Sequence, residues 1–151
     1  MDAYRIGLPT FPLLDGTGAA TSDDARWNGR GRYGIYASEH YATALLEKVA
    51  QLNSVRIPRT LVYIRIVVPA DATVEQLQMP DLPGRDSHDK RSSRSFGNRW
   101  YDEARSLILI VPSLAAPGLE RNILINQRHR EFARVTHSAP EELRCHPKLL
   151  E

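Results

Sequence analysis

Two short apolar runs, residues 61–69 and 107–111, constrain this chain more than any other feature. Both have the length of a strand, and neither is long enough to cross a bilayer. Residues 61–68, rich in β-branched residues, and 106–111 read as buried strands. Between and around them lies one strong helical pattern. Ala42, Leu45, Leu46, Val49 and Leu52 recur with a 3.6-residue period, so residues 39–52 read as a helix with Ser38 as its N-cap.

The other elements are shorter. Residues 4–7 and 33–37 read as strands, as do 122–125 and 132–136. Pro9, Pro12, Gly16 and Gly18 open a long irregular loop that continues to Arg32. Residues 71–78 read as a short helix and 96–103 as another, with Trp100 packing inward. The stretch 84–94 is charged and aperiodic, hence a mobile loop. Strands and helices mix without a βαβ repeat. The expected fold is α+β, a curved and largely antiparallel or mixed sheet with helices packed outside it. At 151 residues the chain reads as a single domain, 1–151. Pro140 and Pro147 mark a tail, 138–151, expected to be weakly ordered or held by a partner.

Hydrophobic content of 42% and charged content of 25% are those of an ordinary soluble protein. A net charge of +2 is too small to argue for nucleic acid. The cations are nonetheless skewed, with lysine only at Lys48, Lys90 and Lys148. Arginine offers a planar fork suited to phosphate or carboxylate. Cys145 is a single cysteine, which rules out an internal disulfide and fits a reducing cytoplasm. The N-terminus has no basic start followed by an apolar run, so no signal peptide is expected.

Candidate chemistry concentrates in Arg26-Trp27-Asn28-Gly29-Arg30-Gly31, read with Tyr36 and Glu47. The Gly-rich turn matches neither the P-loop nor the dinucleotide fingerprint. A helical wheel puts Glu47 roughly opposite the apolar stripe, on a face shared with His40, Thr43 and Gln51. Periodicity alone therefore fits a solvated glutamate; a functional one needs that face to line a cleft. Tyr36 alone reads as half-buried core. Ser113 follows a buried strand without a Gly-x-Ser-x-Gly elbow, so a hydrolase nucleophile is not expected. His40, His88, His129, His137 and His146 lack metal-ligand spacing. Arg85, Lys90, Arg91, Arg94 and Arg99 form a basic cluster without interleaved aromatics, a weak signal for nucleic acid.

Taken in order, these motifs resemble the RES-domain toxins of bacterial toxin–antitoxin pairs. The matching segments are Asp15-Gly16-Thr17-Gly18-Ala19, Arg26-Trp27-Asn28, Gly34-Ile35-Tyr36-Ala37-Ser38-Glu39 and Ala44-Leu45-Leu46-Glu47. Leu82-Pro83, Trp100, Val111-Pro112-Ser113, Asn122-Ile123-Leu124-Ile125-Asn126 and His129 follow. The resemblance runs from Tyr4 to about Thr136. It departs from the family at Ala25, where Gly is usual, and at Gln127, where Pro is common.

The resemblance implies an ADP-ribosyltransferase-like core, small mixed or antiparallel sheets with flanking helices around an NAD cleft. It implies cleavage of NAD at the nicotinamide–ribose bond, by a glycohydrolase or phosphorylase. Alternatives are a mono-ADP-ribosyltransferase acting on a protein and a non-catalytic nucleotide or ADP-ribose-binding module. By the same resemblance Glu47, Arg26, Tyr36 and Ser113 form the catalytic set. Arg5, Arg26, Tyr36, Ser113, Asn126 and His129 bind substrate. NAD is then substrate, with no cofactor and no metal. The implied partner is a helix-turn-helix, Xre-type antitoxin that occludes the site in an oligomeric complex. Neither a membrane nor direct nucleic-acid binding by this chain is expected, and the cytoplasm is the expected location.

Overall fold

The computed structural model describes residues 1–10, 12–77 and 90–151. Its elements run β1 (Asp2–Gly7), α1 (Thr17–Thr21), β2 (Gly34–Ser38), α2 (Tyr41–Leu52), β3 (Val62–Val67) and β4 (Val74–Gln76). Then come α3 (Arg91–Asp102), β5 (Ile108–Pro112), β6 (Arg121–Asn126), β7 (Thr136–His137) and β8 (Glu141–Glu142). Single 3-10 turns sit at Arg130–Arg134 and Pro147–Leu149. Among the described residues no helix is long and apolar enough to cross a membrane.

The strands form an eight-stranded sheet in the order β4-β5-β6-β2-β1-β3-β7, with β8 also on β3. Every pairing is antiparallel except β4 with β5. Strand periodicity explains how this sheet is covered on both sides. Ile35 and Ala37 of β2, Ile108 and Ile110 of β5, and Ile123 and Ile125 of β6 enter one core cluster. Leu109, Val111 and Leu124 point the other way, to Trp27 and Trp100. This two-sided burial is why 107–111 is apolar without alternation.

The sheet is nearly two sheets. β1 pairs with β3 over six residues, from Asp2↔Val67 to Gly7↔Val62. β2 pairs with β6 over five, from Gly34↔Asn126 to Ser38↔Asn122. β1 and β2 share one residue pair, Tyr4↔Ser38. Beyond that pair the strands diverge, and the Arg5 guanidinium donates across the gap to the Tyr36 carbonyl at 2.8 Å.

Several local expectations are corrected. Residues 71–77 of the expected helix are not helical, and 78 lies outside the described residues; Val74–Gln76 is an edge strand whose register on β5, with the Leu77 N–H donating to the Ile110 carbonyl, satisfies backbone groups that β5 would otherwise leave open. Residues 91–94 belong to α3, while 84–89 of the expected loop lie outside the described residues. The irregular loop contains the single helical turn α1. Residues 130–134 form a 3-10 turn, and only Thr136–His137 pair as a strand. Helix α2 starts at Tyr41 with His40 at the N-cap, because Ser38 ends β2 and spends its hydroxyl on Asn122. It stops at Asn53, whose φ of 49° is the left-handed exit common at helix ends.

The apolar stripe of α2 is also rotated from its expected place. Ala44, Leu45 and Val49 pack with Ile6, Ile57 and Leu61, whereas Ala42, Leu46 and Leu52 are exposed. Residues 138–151, for which the sequence suggests weak order or a partner, pack on this chain. β8 pairs with β3, Leu150 bridges to Ile57, and Leu143 joins the cluster under α2.

Candidate active site

The rotation of α2 turns its polar face onto the start of β6. Glu39 receives a guanidinium fork from Arg121, with Nε to Oε2 at 2.8 Å. His40 Nδ1 lies 2.7 Å from Glu120 Oε2, and the Thr43 hydroxyl donates to the same oxygen at 2.6 Å. The Glu120 hydrogen bond and charge raise the His40 pKa, and His40 in turn lowers that of Glu120. These contacts dock the first turns of the helix and leave Glu47, one turn further on, aimed at the ends of β5 and β6.

There the Glu47 carboxylate is tightly held. Its Oε1 accepts from Ser113 Oγ at 2.6 Å and from Asn122 Nδ2 at 2.7 Å. Ser113 is fully buried just past β5, and its Oγ also accepts from the Ala116 N–H at 3.3 Å. Among the described residues Oε2 of Glu47 takes no hydrogen bond. One oxygen is thus anchored by two donors.

A second group of residues lies along β2. Tyr36 and Ser38 share one strand face, ~7 Å apart. The Tyr36 hydroxyl accepts from the Trp27 N–H at 3.1 Å and donates to Asn28 Oδ1. Burial pushes the Tyr36 phenol well above its usual pKa, so it stays neutral. Asn28 in turn donates to the Ala19 and Gly29 carbonyls, each at 3.0 Å. Tyr36 thus fastens the loop carrying the half-buried Arg26 to the sheet. The space beside its ring, between Trp27, Gly34, Gly97, Trp100 and Leu124, is a cavity of about 10 Å³. That is roughly room for one water and not for a nicotinamide ring.

Helix α3 grips the same loop from the other side. Lys90 Nζ donates to the Asp24 carbonyl at 2.7 Å, Arg94 Nε to the Ala25 carbonyl at 2.9 Å, and Asn98 Oδ1 accepts from the Gly29 N–H at 2.8 Å. A Cβ at Gly97 would lie 1.7 Å from the Trp27 carbonyl oxygen, so helix and loop touch backbone to backbone.

Two further cations face this region. Arg5 is half-buried, and its Nε is enclosed with no hydrogen-bond partner among the described residues. Burial lowers its pKa, opposed by the charge of Asp15. Lys48 has its pKa lowered by burial and then by the Arg5 charge, which places the two cations near one another. Neither forms an ion pair among the described residues, an arrangement suited to a bound anion.

The structure therefore brings Glu47 and Ser113 into contact and links Arg5, Tyr36 and the Arg26 loop through hydrogen bonds. It gives Asn126 and His129 other surroundings. Asn126 pairs with Gly34 at the opposite end of β6 from Asn122, ~14 Å along the strand. Its side chain bonds the Tyr101 carbonyl at 3.3 Å and the Arg128 N–H at 3.0 Å. His129 Nδ1 accepts from the Glu131 N–H at 3.2 Å and caps the 3-10 turn. Asn122, Ser38 and Lys48 were not singled out from sequence. The available signal for Asn122 was a polar residue just before the apolar run Ile123-Leu124-Ile125 of β6.

Three comparisons bear on this arrangement. The sequence model of the RES domain matches residues 2–146. A protein of Sphingobium sp. (strain YBL2) named Prs ADP-ribosylating toxin is 38% identical over 120 residues, 77% of this chain and 73% of its own. A protein of Pseudomonas putida named Toxin Res is 36% identical over 131 residues, 85% of this chain and 86% of its own. Among solved structures, a chain from the crystal structure of the M. tuberculosis MbcT-MbcA toxin-antitoxin complex superposes with a TM-score of 0.73. That match covers 94% of this chain and 83% of the other at 15% identity, a likeness of fold.

Proposed function

The chain belongs to the RES-domain family, and on that premise we propose that it is a toxin that consumes NAD by breaking the nicotinamide–ribose bond. The observation that carries this reading is the Glu47 carboxylate, fixed through one oxygen by Ser113 and Asn122 with the other oxygen unengaged. Nicotinamide leaves NAD as a neutral ring from a cationic one, so the reaction needs no general acid. Positive charge accumulates on the ribose as the bond stretches, as in glycoside cleavage. An oriented carboxylate in a partly desolvated cleft stabilises that charge without reorganising.

The other residues divide the remaining work. Arg5, Lys48 and Arg26 supply positive charge for the pyrophosphate, with charge-assisted hydrogen bonds. Tyr36 acts through its hydroxyl tether to the Arg26 loop, and Ser113 acts on Glu47 rather than as a nucleophile. Water or inorganic phosphate as acceptor gives a glycohydrolase or a phosphorylase.

A second reading, mono-ADP-ribosylation of a protein, is favoured by the name of the Sphingobium relative. The structural neighbour comes from a toxin–antitoxin complex, and we extend that to a cognate antitoxin here, of the Xre helix-turn-helix type, that covers the NAD cleft. A cytoplasmic location follows from NAD as the substrate. The basic cluster is a poor nucleic-acid surface, because Lys90 and Arg94 are spent on backbone carbonyls of their own chain.

The test is incubation of the antitoxin-free protein with NAD, with and without phosphate, followed by NMR of the products. Nicotinamide with ADP-ribose-1-phosphate identifies a phosphorylase, and nicotinamide with free ADP-ribose a glycohydrolase. Nicotinamide with neither ADP-ribose nor ADP-ribose-1-phosphate, together with ADP-ribose attached to a protein, selects the ADP-ribosyltransferase. Tight NAD binding with no chemistry overturns the enzymatic reading.

A further inference from the structure

We propose that Asn122 is the positioning residue that sets the orientation of Glu47, with Ser38 holding Asn122 in turn; the inference rests on Glu47 being the reacting carboxylate. β6 delivers Asn122 to the end of the sheet directly opposite Ser38 of β2. Its Nδ2 donates to Glu47 Oε1 at 2.7 Å, and its Oδ1 accepts from Ser38 Oγ at 2.8 Å. Ser38 is buried, so its hydroxyl has little choice of acceptor.

The orientation of the amide follows from the charges around it. A flipped amide would set Oδ1 against the carboxylate oxygen at hydrogen-bond distance, which is repulsive. With the amide as it stands, each group has a partner. The Ser38–Asn122–Glu47 chain runs across three elements, β2, β6 and α2. Ser113 adds a second donor to the same carboxylate oxygen from the end of β5. Two donors converging on Oε1 fix the plane of the carboxylate and present Oε2 to the cleft. A connected hydrogen-bonded chain of this kind, buried at Ser38 and half-buried at Asn122 and Glu47, holds a reacting group better than a single bond.

Asn122→Ala, Asn122→Asp, Ser38→Ala and the double variant Ser38→Ala/Asn122→Ala test the assignment by steady-state NAD turnover and thermal melting. Asn122→Ala should lower kcat roughly 10- to 100-fold, the loss expected for a hydrogen bond to a charged group, with KM within about twofold of wild type. Asn122→Asp keeps the shape but replaces the donor with a like charge, and should be slower than Asn122→Ala. Ser38→Ala should lose a few-fold, roughly, and the double variant should be no slower than Asn122→Ala alone, since Ser38 acts through Asn122.

A merely structural asparagine gives the opposite order, with the isosteric Asn122→Asp close to wild type and kcat falling only in step with melting temperature. That result overturns the proposal. If the wild-type protein releases no nicotinamide, the reading of the reaction fails while the contact is judged separately. The side-chain amide resonances of Asn122 should then shift and exchange faster with solvent in Glu47→Ala; unchanged resonances overturn the positioning role.

Discussion

At the scale of single residues, Glu47 shows how one side chain acquires chemistry from its neighbours. It is a half-buried glutamate on a helix. Two donors on one oxygen give it a fixed direction. Glu47→Gln keeps the shape and the capacity to accept from Ser113 and Asn122, so it should fold with a near-normal melting temperature. It removes the negative charge that a ribosyl cation requires. NAD turnover should drop by at least roughly 100-fold, on the scale of losing one preorganised electrostatic contact. Wild-type-like release of nicotinamide by a folded Glu47→Gln protein removes Glu47 from the mechanism. Tyr36 makes the opposite point. Its hydroxyl is tied to Trp27 and Asn28, so its neighbours give it a holding role on the Arg26 loop.

At the scale of elements, α3 acts as a clamp on the Arg26 loop. Lys90 at its N-cap and Arg94 donate to loop carbonyls, Asn98 accepts from the Gly29 N–H, and Gly97 permits backbone contact. Gly97→Ala would force its methyl into the Trp27 carbonyl, which is backbone and cannot step aside. Loop and helix must separate, at a cost of about 2–4 kcal/mol. Chemical denaturation should read that loss, and KM for NAD should rise because Arg26 rides on the displaced loop. Unchanged stability and KM would show that α3 does not position it. The basic cluster that reads in sequence as an interaction surface is, at Lys90 and Arg94, an internal device of the fold.

At the scale of the whole molecule, the two halves of the sheet join where β1 and β2 share a single residue pair. The two halves of the sheet are held elsewhere, by the core under β1, β2 and β3 and by the C-terminal residues packed beneath α2. Leu143 and Leu150 enter the same cluster as Ala44, Leu45 and Val49. Leu143→Ala/Leu150→Ala should destabilise the protein by about 1–2 kcal/mol per leucine, below the range for fully buried leucines because both are partly exposed. Urea unfolding measures this directly. A change near zero would mean that the tail contributes nothing to holding the helix that bears Glu47.

The order of apolar runs determined that the protein is α+β, with a buried strand within 106–111 and a helix within 39–52, because burial on two faces and a 3.6-residue stripe are local patterns. The ordered motifs likewise marked the family, and with it Glu47, Ser113, Arg26, Tyr36 and Arg5 as residues to examine. Three matters waited for the tertiary structure. Residues 74–76 became a strand because β5 needed an edge partner, and nothing in their own sequence announces that. The face of α2 turned by enough to expose Leu46 and aim Glu47 at β6, a choice set by His40, Thr43 and Arg121 meeting Glu39 and Glu120. Asn122 met Glu47 across 75 residues of chain, while Asn126, four positions further on, faced a different neighbourhood. Periodicity tells which residues share a face; only packing decides what that face meets.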